Sequence, residues 1–259
     1  MTGPSGWYVY GVVPTAEASE AIFENVAGVA AGAVALVDGG SLAAIASEVP
    51  LSEFGEEAIA KNLRDPDWLE GRVRAHDAVL EAALGAVPVV PFRFGTIYRD
   101  ADHVRELLRD DGRLGEALER VRGRVELGVK GFLVAPPVAE APASDAGDAR
   151  SEGRRYLEEK QRARLLAEEQ AAEKAGWADE SHRRLSAVAD AATANPPQPP
   201  ELSGRRAEMF LNAAYLVSAG REDAFRDALT ELADELGPSG VAYELTGPWP
   251  PYNFVDEPK

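Results

Sequence analysis

The sequence predicts an α+β protein of two domains: an N-terminal ferredoxin-like α/β sandwich over residues 1–122 and a C-terminal α+β domain over residues 123–259. Three observations point there. Strand and helix periodicities alternate over residues 1–98 in the order β-α-β-β-α-β, the split ferredoxin-like pattern. A dense, sign-balanced block of charge within residues 152–194 reads as a long protruding helical hairpin. Strand, helix and strand patterns then follow a proline-rich connector, and a proline-aromatic tail at 247–255 closes the chain.

Residues 7–13 alternate tightly and predict the first strand, ending at Pro14. Thr15 is placed to cap a short helix, with Ala18, Ala21, Ile22 and Val26 inward and Glu17 in its first turn. Residues 33–37 and 42–48 flank Asp38-Gly39-Gly40-Ser41, a hairpin signature. Helical sequence begins near Glu53. Its second piece opens with Asp65 as N-cap and Pro66 at the first helical position, and runs to about Ala86.

That helix feeds residues 87–98, V-P-V-V-P-F-R-F-G-T-I-Y, the densest apolar run in the chain. Its β-branched and aromatic residues predict a buried strand. Pro88 and Pro91 cannot donate ladder hydrogen bonds, so its first half is expected to be irregular or at an edge. Beyond Pro91, Phe92, Phe94 and Thr96 should share one face, and Arg93, Gly95 and Ile97 the other.

Asp100 is placed to cap a helix with Val104, Leu107 and Leu108 on its apolar face, and Gly112 is expected to stop it. A second short helix carries Leu114, Leu118 and Val121. Residues 124–135 return to an extended pattern, with Val125, Leu127, Val129 and Gly131 alternating. Residues 135–151, rich in Ala, Pro, Asp and Gly, read as a loop. In the charged block, Gly176 is expected to break the helix, with Leu185, Val188 and Ala192 on a returning arm. Residues 195–200 form a stiff connector, 209–218 a strand, 224–236 an amphipathic helix and 241–246 a strand.

The formal net charge of −17 argues against nucleic acid and anionic lipid surfaces as partners. The chain has no cysteine, which excludes disulfides and thiolate metal sites and fits a cytoplasmic location. No secretory leader is apparent, and no apolar run approaches the roughly 20 residues of a membrane span.

Candidate chemistry is sparse. His76-Asp77 could belong to a metal site, but neither His103 nor His182 lies in a matching motif. His76 shares a helix face with Leu69, Val73, Leu80, Ala83 and Val87, so it reads as a structural, hydrogen-bonded histidine. Gly39-Gly40-Ser41 precedes a strand and reads as a turn rather than a phosphate loop. Arg93, Phe94 and Gly95 could present a strand end to a ligand; core packing with one internal ion pair is the preferred reading. Trp249-Pro250-Pro251-Tyr252, with Phe254, offers an extended proline-aromatic contact surface, either for a partner or for the protein's own domains. No nucleophilic elbow and no phosphate-binding loop is present. No enzymatic activity, cofactor or metal is expected.

Two segments carry a family resemblance. The P-F-R-F-G-T run at 91–96 resembles the P-V-R-F-G-T core of the GvpF/GvpL family of gas vesicle proteins, and G-P-W-P-P-Y-N-F-V at 247–255 is similar to that family's closing motif. The H-x-x-V-L of His76, Val79 and Leu80 also fits the family's helix. The resemblance implies an accessory protein for gas vesicle assembly, located in the cytoplasm or on the vesicle. Its implied partners are the hydrophobic shell protein and other gas vesicle accessory proteins. The alternative is a small-ligand-binding regulatory protein on a ferredoxin-like scaffold, since that scaffold hosts many activities.

Overall fold

The computed structural model describes residues 3–109, 111–134, 149–199 and 207–255. Cα packing divides the chain into two units, residues 1–127 together with 247–259, and residues 128–246. The packing units therefore do not follow chain order: the closing segment groups with the first unit.

The first unit is built on β1 (Ser5–Pro14), which pairs antiparallel with β3 (Leu42–Pro50) from Ser5↔Pro50 to Pro14↔Leu42. β2 (Ala35–Asp38) adds to β3 as the expected hairpin, and β4 (Val90–Pro91) lies on the other side of β1, giving the order β2-β3-β1-β4. β1 carries a register shift between Val9 and Gly11. An extra residue in one strand reverses which face each side chain takes. Accordingly, Tyr8 and Tyr10 before the shift and Val13 after it lie in one core cluster. Val9 and Val12 lie in the other. At Gly11 a Cβ would stand 2.6 Å from the Val90 carbonyl oxygen, so glycine lets β4 close on β1.

One face of this sheet is covered by α3 (Pro66–Leu84), which buries His76, Val79, Leu80 and Ala83. Asp65 caps it as expected, its Oδ1 accepting from the N–H of Asp67 at 3.1 Å and Trp68 at 3.3 Å. α1 (Leu51–Phe54) and α2 (Glu56–Asn62) precede it. The second cluster contains Val104 and Leu108 of α4 (Ala101–Arg109) with Leu114 and Leu118 of α5 (Asp111–Val121). Asp100 caps α4 through the His103 N–H at 3.0 Å.

Several expectations are corrected. The cap of the first short helical turn, Glu20–Phe23, is Ser19, not Thr15. The Thr15 N–H instead donates to the Ser41 carbonyl at 3.0 Å and so prolongs the sheet. Gly112 lies inside α5 rather than between helices, in a first turn where N–H groups lack intrahelical partners anyway. Residues 87–98 do not form a continuous strand: Val90–Pro91 and β5 (Ile97–Tyr98) pair with β1, the Phe92 N–H donates to the Tyr10 carbonyl and the Val9 N–H to the Thr96 carbonyl, and residues 93–95 between them leave the ladder. Pro91 removes a donor, and Gly95 takes φ +91°, so the chain leaves the ladder between them. That detour separates the residues expected to share a face. Phe92 is buried in the cluster with α4 and α5, and Phe94 packs against the cluster with α3.

The second unit contains most of a four-stranded sheet of order β7-β8-β6-β9, built from β6 (Arg124–Leu133), β7 (Ala191–Ala194), β8 (Glu208–Ser218) and β9 (Val241–Trp249). β7 and β8 pair antiparallel from Ala191↔Leu216 to Ala194↔Ala213. Residues 195–199 follow β7 without regular structure, held to β8 by the Asn195 N–H donating to the Asn212 carbonyl at 2.7 Å. α7 (Glu222–Leu236) buries Phe225, Leu229 and Leu232, and the Phe225 ring stands 5.1 Å from that of Tyr215.

The helical hairpin is also corrected. The charged block is one helix, α6 (Ala149–Val188), 40 residues long or roughly 60 Å at 1.5 Å per residue. Gly176 lies within it, because one glycine disfavours a helix by only about 1 kcal/mol relative to alanine and its flanks are strong helix formers. The expected returning arm supplies instead the end of α6, with Leu185 fully buried, and β7, which contains Ala192. The expected loop at 135–151 falls for residues 135–148 outside the described residues, as does Pro200.

Candidate functional site

The proline-aromatic tail meets α3 and β1 of the first unit at a largely buried polar hub. α3 places His76 on its inward face, 2 % exposed. β1 brings the Tyr8 hydroxyl within 2.9 Å of His76 Nδ1, and the tail brings the Tyr252 hydroxyl within 2.9 Å of Nε2. The Gly95 N–H donates to the Tyr8 oxygen at 3.0 Å. With Tyr8 donating to Nδ1 and Nε2–H donating to Tyr252, a neutral imidazole satisfies the whole chain. Burial favours that state, lowering the His76 pKa to about 4 although the Phe92 backbone opposes it. Burial likewise pushes the Tyr8 hydroxyl far above its ordinary range, so it remains a neutral donor. The rings of Tyr8, Tyr10 and Phe94 surround the imidazole at centroid distances of 5.7, 5.6 and 5.9 Å.

A second anchor holds the tail. Glu126 is 5 % exposed, and its carboxylate accepts the Asn253 backbone N–H at 2.8 Å and side-chain amide at 2.6 Å. Burial raises its pKa, and the two Asn253 hydrogen bonds oppose the rise. Arg120 adds a hydrogen bond to the Phe254 carbonyl at 3.2 Å. These contacts make the segment 252–254 a docked turn of the first unit.

The sequence-derived site residues are thus distributed by burial. Pro250, Pro251 and Phe254 are buried and Tyr252 is half-buried against His76. Trp249 keeps 42 % of its surface exposed and ends β9, which extends three residues beyond the expected strand into the tail. Arg93 is exposed rather than in the core, and its carbonyl accepts the Thr96 hydroxyl at 2.8 Å. Phe94 is half-buried, and Gly95 supplies the left-handed turn. Tyr8, Glu126 and Asn253 were not singled out by sequence reasoning. Alternation places Glu126 opposite Val125 and Leu127 on a polar face, and only contact with the distant Asn253 explains its burial.

The groups of the hub are hydrogen-bonded to one another. Among the described residues no group of three or more His, Cys, Asp or Glu could hold a metal ion, and no helix is long and apolar enough to cross a membrane.

The family model described as gas vesicle synthesis protein GvpL/GvpF matches residues 6–256, which spans the hub, both sheets and the tail. The chain belongs to the GvpL/GvpF family. Gas vesicle protein L of Streptomyces sp. (strain CB03234) is 40% identical over 220 residues, covering 83% of this chain and 80% of the relative. Gas vesicle protein F of the same strain is 29% identical, covering 96% and 99%. Gas vesicle protein F2 of Halobacterium salinarum is 30% identical, covering 96% and 91%. The crystal structure of GvpF from Anabaena sp. PCC7120 shares the fold, with a TM-score of 0.71 at 20% identity over 98% of both chains. Membership in the GvpL/GvpF family places this protein in gas vesicle biogenesis. The mixed helix-and-sheet architecture is that of the GvpF structures.

Proposed function

We propose that this GvpL/GvpF member is a non-enzymatic assembly factor that acts in the cytoplasm by binding the hydrophobic shell subunit and other gas vesicle accessory proteins. The observation that carries this reading is the exposed part of α6. Residues 158–173 are exposed on every side, including Leu165 at 59 % and Leu166 at 51 %. A solvated helix of that length with apolar residues at its centre suits contact with another protein. The acidic chain would keep an apolar client dispersed. The strand order β2-β3-β1-β4 supports a ferredoxin-like first sheet. The higher identity to protein L than to protein F of one Streptomyces strain supports an L-like branch.

Trp249 is the tail residue proposed to touch a partner, whereas Tyr252, Phe254 and His76 hold the tail in place. Affinity capture with tagged full-length protein should retain the shell subunit or an accessory gas vesicle protein. Replacing Leu165 and Leu166 by serine should weaken that capture. Failure of the wild-type protein to retain any gas vesicle component, together with normal vesicles by microscopy in a deletion strain, would overturn the reading. Urea washing of purified vesicles then separates a retained minor component from a transient factor.

A further inference from the structure

Beside the tail, the C-terminal turn of α3 and the end of β9 enclose a groove of about 500 Å³. Leu84, Val125, Pro248 and Trp249 supply apolar walls, and Glu81 lines the same groove. All of these residues belong to the first unit. Three features give the groove one electrostatic sign. Glu81 is exposed, and among the described residues neither it nor Asp77, one turn earlier, forms an ion pair. Burial, and after it the Glu81 charge, raises the Asp77 pKa, so the two carboxylates on this face of α3 feel one another. The groove also includes Gly85, the C-cap of α3, where the helix dipole presents partial negative charge. Trp249 adds an electron-rich ring face at the rim.

A carboxylate, a helix C-terminus and an indole around apolar walls are complementary to a long cationic side chain with an apolar neighbour. Arginine and lysine both bury their methylene stems on apolar surface while the charged head pairs or stacks. A neutral apolar segment would leave Glu81 without a counter-charge, and an acidic one would be repelled. We propose that this groove is a docking site for a protein segment that inserts an arginine or lysine flanked by apolar residues, with Glu81 pairing the cation and Trp249 covering it. The proposal rests on the reading of the protein as one that works by touching other proteins, and it specifies the chemistry of one such contact.

The test titrates full-length protein with the peptide acetyl-Ala-Leu-Arg-Leu-Ala-amide and with its Glu-for-Arg control, following the tryptophan indole N–H resonances by NMR. The expected result is a saturable shift of the Trp249 indole with the arginine peptide alone. Affinity should fall roughly fivefold in Glu81→Gln, the scale of one solvent-accessible ion pair. It should weaken similarly at high salt and, with binding followed by isothermal titration calorimetry for every variant, disappear in Trp249→Ala. Both positions are exposed, so the variants should fold; unchanged Trp7, Trp68 and Trp177 resonances verify this. An unmoved Trp249 resonance, or equal binding by the wild type and Glu81→Gln, overturns the proposal. Capture of gas vesicle proteins by the wild type is measured alongside. Retained capture with a negative peptide titration sinks the groove and leaves the assembly reading standing.

Discussion

The hub around His76 and the exposed part of α6 handle polar groups in opposite ways. In the hub, the His76 imidazole and the Tyr8 phenol are removed from water and satisfy one another, with the Gly95 N–H and the half-buried Tyr252 phenol completing the chain. On α6, Lys160, Arg162, Arg164, Glu168 and Glu169 remain hydrated, and their ion pairs are local, as between Arg164 and Glu168 at 2.8 Å. A buried polar group left unsatisfied costs about 1–3 kcal/mol, whereas an exposed ion pair contributes about 0–1 kcal/mol. The hub therefore fixes structure, and the exposed helix is free to be used.

Substitutions should separate the two regions sharply. His76→Ala removes an aromatic-sized side chain and takes one hydrogen-bond partner from each of two tyrosine hydroxyls, so it should destabilise the protein by about 3–5 kcal/mol in urea unfolding. A loss below about 1 kcal/mol would mean that the hub is dispensable.

Acidity should act next. The folded His76 pKa, about 4, lies below the ordinary 6.5, so its contribution is present above pH 6.5 and is lost as pH falls through about 4. The full loss is about 3 kcal/mol, and His76→Gln should abolish most of that slope in melting temperature between pH 6.5 and 4. Glu126 has the opposite sign. Its raised pKa gives stability that is present at low pH and lost as pH rises through the folded value, so Glu126→Gln should flatten that limb.

Glu126→Ala should cost about 1–3 kcal/mol by leaving the Asn253 N–H and amide without their acceptor. Hydrogen exchange should show the Asn253 amide losing protection.

On α6 the expected effects are smaller and one is reversed. A Cβ added at Gly176 meets nothing within 4 Å, so Gly176→Ala should stabilise the protein by about 0.5–1 kcal/mol. Destabilisation there would argue for a break in the helix. Leu165→Ser with Leu166→Ser should change unfolding free energy by less than about 0.5 kcal/mol per site, while reducing partner capture.

Local rules were legible where neighbours in sequence decide the outcome. The Asp65-Pro66 start of α3, the Asp38–Ser41 hairpin and the stripe of α7 all follow from capping, turn chemistry and periodicity. Residues 87–98 were misjudged in their second half. Alternation assumes a ladder that continues, and Gly95 instead turns the chain so that Phe92 and Phe94 enter different clusters. Gly176 was misjudged for the converse reason: a local breaker was outweighed by the cooperativity of a long helix.

Sequence by itself determined several of the helices, most of the strands, the inward position of His76 on α3 and, through two short motifs, the family. It could do so because each rests on spacings within a few residues, or on motifs read directly from the chain. Only the tertiary structure decided what His76 bonds to, that Glu126 is buried, and that a tail some 120 residues further along the chain closes over it. Those outcomes depend on which distant groups exclude water from each other, and no local pattern encodes that.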